Sequence, residues 1–411
     1  MTVTTPEGFR AAGLAAGLKT DGAKDIALVV NDAAAATSAA AAVFTVNRFA
    51  AAPVALSREA LAVAKGGYAV PRAVILNSGG ANACTGPDGL EDAKQSAGAL
   101  ARRLGLKTEE VLVCSTGLIG ERLPIGKILA GMHHAVIALA ATEAAGLAAA
   151  EAIMTTDTVP KTAAVHVGGG ADGGGADGGG GADGGYAIGG MAKGAGMLAP
   201  ELATMLVVIT TDALIDSATA QSALEQACRL SFERIDSDGC MSTNDTVILL
   251  SSGASGVQPD PSEFAAQLTA VSQDLARQLI ADAEGADHEI AIKVTGALTE
   301  DGALTVARAI GRSSLVKTAI AGADPNWGRI LSAAGTVAPE VAPFDPERVE
   351  VAINGVTVAR AGGPGEPREL VDLSGRQVEI RVDLGAGAAS ATIWTNDLTR
   401  AYVSINADYP S

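Results

Sequence analysis

The sequence predicts an α/β protein with more than one sheet. Three observations carry that reading. Nine short apolar runs bounded by Gly, Asn, Asp or Ser have strand character. Six longer stretches place apolar residues at helical spacing among good helix formers. The last third of the chain is the richest in strands, so a second, smaller α/β domain is expected there. At 411 residues, 48% of them hydrophobic, the chain is too long for one small core and has ample apolar surface for two or three domains.

In chain order, "DIALVV" and "RAVILNSGG" read as strands, followed by a helix over 90–104. "EVLVCSTG" is a strand that ends in small polar residues and glycine; helices over 125–139 and 141–153 follow it. The stretch 168–185, "GGGADGGGADGGGGADGG", lacks the apolar residue per repeat that a calcium-binding solenoid needs, and reads as a solvated surface loop. "TMLVVITTD", a helix over 218–235, "DTVILLSSG" and a helix over 262–283 come next. The C-terminal part holds "EIAIKVTG", one helix over 303–319, "RVEVAING", "VEIRVDLG" and "SATIWTND". Periodicity does not give the strand order.

Composition excludes several functions. Lys and Arg number 29 against 46 acidic residues, a net charge of −17, which disfavours nucleic acid and anionic membrane as partners. No uninterrupted apolar run is long enough to span a bilayer, and "MTVTTPEGFRAAG" has no basic region leading into an apolar core. No signal peptide is expected, and the cytoplasm is the expected location. The four cysteines (Cys84, Cys114, Cys228, Cys240) form no CxxC pair and read as buried reduced thiols. With four histidines, none in a zinc-binding spacing, no metal site is expected and histidine is not the expected general base.

The stretch 193–213, "KGAGMLAPELATMLVVITTDA", sets Ala203-Thr204 where a glycine-bearing segment runs into a strand. Two readings are open. Threonine is common at strand starts and needs no further role. Alternatively the chain cuts itself at that bond: a hydroxyl attacks the preceding carbonyl, the small alanine permits a strained turn, and the freed α-amine, of pKa about 8, then serves as the base. Ser115-Thr116-Gly117 leaves its strand as a turn that can present N–H and hydroxyl donors to an oxyanion, or can simply cap the next helix. Polar segments at 77–86, 154–161, 236–246, 282–285 and 322–329, all but the second with glycine, suggest loops converging on a small polar ligand. Within them, "STNDT" (242–246) reads as structural and Trp327 as a packed aromatic. Cys114, with no histidine near it in sequence, reads as a core residue.

"ILNSGGANACTG", "CSTGLIGERLP", "MTTDTVPK", "GGMAKGAGMLAPELATMLVVITTDA", "STNDTV", "SLVKTAIAGADPNWGR" and "AYVSINADYPS" together resemble the ornithine acetyltransferase (glutamate N-acetyltransferase) family of arginine biosynthesis, over about 8–411. The resemblance implies a layered α/β/β/α self-processing fold, cut at Ala203-Thr204 into an α chain (1–203) and a β chain (204–411) that associate as a heterotetramer. It implies Thr204 as nucleophile, Thr116 and Gly117 as oxyanion hole, and Thr155, Lys193, Thr204, Glu284, Asn406 and Ser411 as substrate contacts. The implied reaction is ping-pong transfer of acetyl from N-acetylornithine to glutamate. Acetyl-CoA is a possible co-substrate, with no permanently bound cofactor. A related N-terminal-nucleophile amidohydrolase or aminopeptidase, which resolves the acyl-enzyme with water, is the alternative. Glu201-Leu202 departs from the Asn-Met or Ser-Leu of relatives, and 168–185 is an insertion; neither removes a residue the mechanism needs.

Overall fold

The computed structural model describes residues 1–65, 69–168, 184–199 and 205–408. Two sheets stack face to face. The first has the order Phe9–Leu14, Ile26–Asn31, Ala73–Ser78, Val111–Thr116, antiparallel except for the last, parallel pair, in which Ser78 lies opposite Thr116. The second runs Ala39–Phe44, Thr246–Ser251, Leu206–Thr211, Tyr186–Lys193, Lys161–Val167, with its one parallel pair between Leu206–Thr211 and Thr246–Ser251.

Side chains on successive strand residues point to opposite faces, so each strand here feeds two cores. Leu206 and Val208 pack towards Val74, Leu76, Leu112 and Cys114 of the first sheet. Val207 and Ile209 pack outward against Leu224, Phe264 and Leu268, on the helices Ser217–Leu230 and Pro261–Ala281. On the far side, Ile26, Leu28, Ile75 and Val113 meet Ala97, Leu100, Ile128 and Met132, on the helices Gly86–Leu104 and Ile125–Ile137. The result is four layers: helices, sheet, sheet, helices. Burial on both faces is why these strands read as continuous apolar runs instead of alternating ones.

A third sheet makes the second, smaller α/β domain. Its order is Gly363–Pro364, Val356–Arg360, Glu350–Ile353, Gln377–Asp383, Glu289–Ala297, Ala389–Asn396. Ile292, Ile380 and Ile393 pack with Val306 and Ile310 in a core of their own. Gln377–Asp383 alternates exposed and buried residues, as a strand covered on one face should.

Several expectations need correction. The single helix over 303–319 is two, Glu300–Gly311 and Ser314–Ala321, because Ser313 caps the second by accepting the Val316 N–H. Tyr186–Lys193 is a buried strand despite its paired glycines. A Cβ on Gly189 would fall 2.2 Å from the Thr2 carbonyl oxygen, so the N-terminal segment can cross this strand only over a glycine. Cys114 and Cys228 are buried, but Cys84 and Cys240 are exposed; all four are free. The glycine-aspartate insertion joins two adjacent antiparallel strands, with Val167 paired to Tyr186, and its residues 169–183 lie outside the described residues. Among the described residues no helix is long and apolar enough to cross a membrane.

Candidate active site

The two stacked sheets meet at one end through a threonine and a lysine. Thr116 closes its strand buried, and its carbonyl accepts the Gly80 N–H at 3.0 Å. Gly117 follows at φ +132°, a conformation that favours glycine, and a Cβ there would lie 2.4 Å from Gly80 N. From the opposite sheet, Lys193 ends its strand 2% exposed and donates from Nζ to Thr116 Oγ1 at 3.2 Å. Burial lowers the Lys193 pKa; Asp157 opposes this and Lys161 adds to it.

Asp157 organises the neighbouring loop. One carboxylate oxygen accepts the Gly194 N–H and the Lys161 ammonium, both at 2.6 Å; the other accepts the Thr155 N–H at 2.9 Å and its hydroxyl at 3.5 Å. Burial alone would raise the Asp157 pKa, but Lys193 and Lys161 outweigh it and hold the carboxyl down at about 2. Lys161, fully buried, bridges onward to Asp282 Oδ2 at 2.6 Å, and Asp282 caps the C-terminus of Pro261–Ala281. A depressed carboxylate stabilises the fold above its unfolded pKa of about 4 and loses that contribution as pH falls through its folded value. Acid titration followed by circular dichroism should therefore show stability falling between about pH 4 and pH 2, by roughly 2 kcal/mol. Asp157→Asn should flatten that fall.

Two residues beyond Asp282, the Glu284 N–H donates to the Ala195 carbonyl at 2.9 Å. Its carboxylate lies against Gly196, where a Cβ would come within 2.6 Å of Glu284 Cδ. Asn406 Nδ2 donates to Glu284 Oε2 at 2.9 Å, which brings the helix Arg400–Asp408 onto the same segment. Thr399 Oγ1 holds the start of that helix to the Gly285 carbonyl at 2.5 Å. Beside this pair lies a cleft of about 580 Å³, lined by Thr156, Asp282, Glu284, Arg376, Ala401 and Ile405, a volume suited to a small metabolite.

Asn244 ties the loops together: its amide donates to Ala81 O at 2.6 Å and Ser115 O at 2.8 Å, the structural part expected of "STNDT". Next to it, Asp245 accepts the Met205 N–H at 3.0 Å at the head of Leu206–Thr211. Cys114 is buried and its thiol is pushed up to about 12 by desolvation, so it is no nucleophile. Trp327 packs at the edge of the core of the third sheet.

Of the expected site residues, Thr116, Gly117 and Lys193 form one cluster, with Thr155 joined to it through Asp157. Glu284 and Asn406 form a second pair, linked to the first through the segment that follows Lys193. Ala203, Thr204 and Ser411 lie outside the described residues. Sequence reasoning missed Asp157, Lys161, Asp282 and Asp245 as individuals. Each lies in a polar segment read as a candidate loop, 154–161, 282–285 or 236–246, but nothing in those segments singles out one charge from its neighbours. Among the described residues no group of three or more His, Cys, Asp or Glu side chains could hold a metal ion.

The ArgJ family model matches residues 10–411. Over 413 residues, and 100% of both chains, the sequence is 53% identical to the arginine biosynthesis bifunctional protein ArgJ of Bifidobacterium longum. It is 54% identical over 411 residues, again 100% of both, to that of Streptomyces avermitilis. Among solved structures it is similar to the ornithine acetyltransferase of Mycobacterium tuberculosis complexed with ornithine. That chain is 43% identical, with 50% of this chain and 96% of the other covered, at a TM-score of 0.40. With a family match that runs to the last residue and end-to-end identity above one half, this chain belongs to the ArgJ family.

Proposed function

We propose that this ArgJ protein is an acyltransferase of arginine biosynthesis, a glutamate N-acetyltransferase that moves acetyl from N-acetyl-L-ornithine to L-glutamate. The curated relatives carry arginine biosynthesis in their names, and a solved relative is an ornithine acetyltransferase holding ornithine. The observation that carries the reading is the Lys193–Thr116 hydrogen bond beside Gly117, where the two sheets meet.

The chemistry follows from that bond. Lys193 donates into Thr116 Oγ1, so the threonine's own hydroxyl proton is free to point at another acceptor. With the Gly117 N–H, it makes a two-donor oxyanion hole. Cleavage at Ala203-Thr204 leaves an α chain of 1–203 and a β chain headed by Thr204, whose α-amine takes the hydroxyl proton. Thr204 Oγ attacks the acetyl carbonyl, ornithine departs with its amine, and glutamate then takes the acetyl from the threonine ester. Thr155, Lys193, Asn406 and the terminal Ser411 contact the substrate, and Glu284 meets the ornithine side-chain ammonium. The printed word "bifunctional" on the relatives supports a second entry of acetyl through acetyl-CoA. No metal or permanently bound cofactor is needed by any step. The processed chains associate as an α₂β₂ heterotetramer in the cytoplasm.

The test is to quench protein with N-acetylornithine in acid and map the acetyl group by mass spectrometry. The expected carrier is the peptide that begins at Thr204, discharged by glutamate with little free acetate. Acetate release in place of N-acetylglutamate would support the water-resolved amidohydrolase; acetyl on another residue would remove the reading altogether. Glu284→Gln should reduce kcat/KM for N-acetylornithine by about tenfold or more, the worth of one charge-assisted contact. Steady-state kinetics with the donor varied would measure it.

A further inference from the structure

Two clefts beside the third sheet share one guanidinium. The first, of about 450 Å³, lies among the helices Glu300–Gly311, Ser314–Ala321 and Trp327–Ala334, with Arg312, Ser313, Asn326, Gly328, Arg329 and Ser332 in its wall. Three of these come from the polar segment 322–329. The second, of about 250 Å³, has Ser237, Arg312, Lys317, Asn396, Leu398 and Tyr402 in its wall.

The donor set of the first cleft suits an anion. Arg312 is half-exposed and donates from Nε to buried Asp236 Oδ2 at 2.6 Å, which fixes the guanidinium and leaves both Nη groups for another acceptor. Arg329 is held in turn by one Nη, which donates to the Leu315 carbonyl at 2.7 Å. In a chain of net charge −17, no Asp or Glu among the described residues lines this space. Gly328 is exposed in the first turn of Trp327–Ala334, where no side chain covers its N–H and the helix dipole favours negative charge. The hydroxyls of Ser313 and exposed Ser332 add donors. Two oriented guanidiniums with hydroxyl and backbone donors are the pattern that recognises phosphate.

The second cleft has its charges already engaged. Lys317 Nζ donates to the Ser237 carbonyl and Thr395 Oγ1, both at 2.8 Å, and to the Asn396 carbonyl. Asp238 accepts the Met197 N–H at 2.6 Å, and Asp397 accepts the His288 N–H at 3.0 Å. What stays open is neutral. Asn396 is 2% exposed, and its Oδ1 accepts no hydrogen bond among the described residues. A buried acceptor in that state calls for a donor, and an amide N–H of a ligand is one. Tyr402 adds a wall from the helix Arg400–Asp408, the helix that also brings Asn406 to Glu284. A ligand that fills both clefts has a phosphorylated end and a neutral, amide-bearing arm.

We propose that the two clefts bind acetyl-CoA, with its phosphates at Arg312 and Arg329 and its pantetheine arm running past Arg312 along Asn396 and Tyr402. The inference rests on the reading of acetyl-CoA as a second acetyl donor.

The experiment titrates the full-length protein calorimetrically with CoA and with inorganic phosphate, and assays glutamate acetylation with acetyl-CoA or S-acetylpantetheine as donor. Arg329→Gln removes one guanidinium, and Ser332→Glu sets a carboxylate at an exposed position of the same wall. Each should raise the Kd for CoA and the KM for acetyl-CoA by about tenfold or more, the worth of one charge-assisted contact. S-acetylpantetheine has no phosphate, so its kcat/KM should stay within about twofold of native in both variants. Equal losses with the two donors would give Arg329 and Ser332 a structural part and overturn the proposal. Inorganic phosphate bound as tightly as CoA would make the first cleft a simple anion site and overturn it too. A native KM for acetyl-CoA in both variants overturns the proposal and leaves the acyltransferase reading standing. If the unsubstituted protein takes acetyl from N-acetylornithine but not from acetyl-CoA, the underlying reading of a second donor has failed.

Discussion

Thr204→Ala is expected to run as one uncut chain and to transfer no acetyl group. Both losses follow from the removal of one hydroxyl. Without it nothing attacks the Ala203 carbonyl, so the chain stays whole; without the cut there is no free α-amine, so a substrate meets neither nucleophile nor base. Loss of a residue that forms the covalent intermediate removes a factor of about 10⁴ or more, which places residual turnover at the floor of an ornithine-release assay. The fold should persist. Met205 stays anchored on Asp245, and Leu206 and Val208 stay in the inter-sheet core whatever stands at 204. A melting midpoint within a few degrees of the native protein is therefore expected. Thr204→Ser keeps a hydroxyl and should both cleave and turn over, at reduced rates. Cys114 offers no substitute, being buried with its thiol near 12. A Thr204→Ala protein that still yields two chains, or still releases ornithine, would place the nucleophile elsewhere.

What the sequence made legible follows from where burial is continuous. All nine apolar runs read as strands are strands, because the two stacked sheets bury both faces of their members and the third buries one. Ala39–Phe44, "AAAAVF", gives no such signal, since alanine fits helix and strand alike and its pairing with Thr246–Ser251 is more than 200 residues away in sequence. The helix Arg400–Asp408 has no buried residue, so core packing does not hold it; it is positioned by Thr399 on Gly285 and Asn406 on Glu284. The site shows the same division. Thr116 and Gly117 were visible as a strand-end turn, because small residues leaving a strand have a local signature. That Lys193 reaches Thr116 from the other sheet, or that Asp157 gathers Thr155, Lys161 and Gly194, depends on layers packing together. No spacing along the chain encodes that contact. The order of the motifs, through their family resemblance, supplied what local patterns could not.

Gly117→Ala should reduce kcat by about 10²-fold or more with a small change in KM for N-acetylornithine. The added methyl would meet Gly80 N at 2.4 Å, Gly79 C at 2.8 Å and Gly80 Cα at 3.0 Å, all of them backbone. That backbone cannot swing aside. The Gly80 N–H is bonded to Thr116 O at 3.0 Å, and the Gly80 carbonyl accepts Asn77 Nδ2 at 3.0 Å. The residue would also hold φ near +132°, where an L side chain is strained by about 1–3 kcal/mol. Relief comes only by moving the 117 peptide, which takes its N–H away from the oxyanion. Loss of one such donor costs about 3–4 kcal/mol in the transition state and little in the ground state, so kcat falls while KM holds. In the proposed mechanism self-cleavage uses the same hole for its tetrahedral intermediate, so it should slow together with acetyl transfer. Gly120→Ala separates contact from strain. Gly120 has φ +86° with open space around its Cβ position, so alanine there should lower the melting midpoint and leave kcat near native. Equal losses of kcat in the two variants would mean that backbone strain alone is being read, and the Gly117 N–H would lose its place in the oxyanion hole.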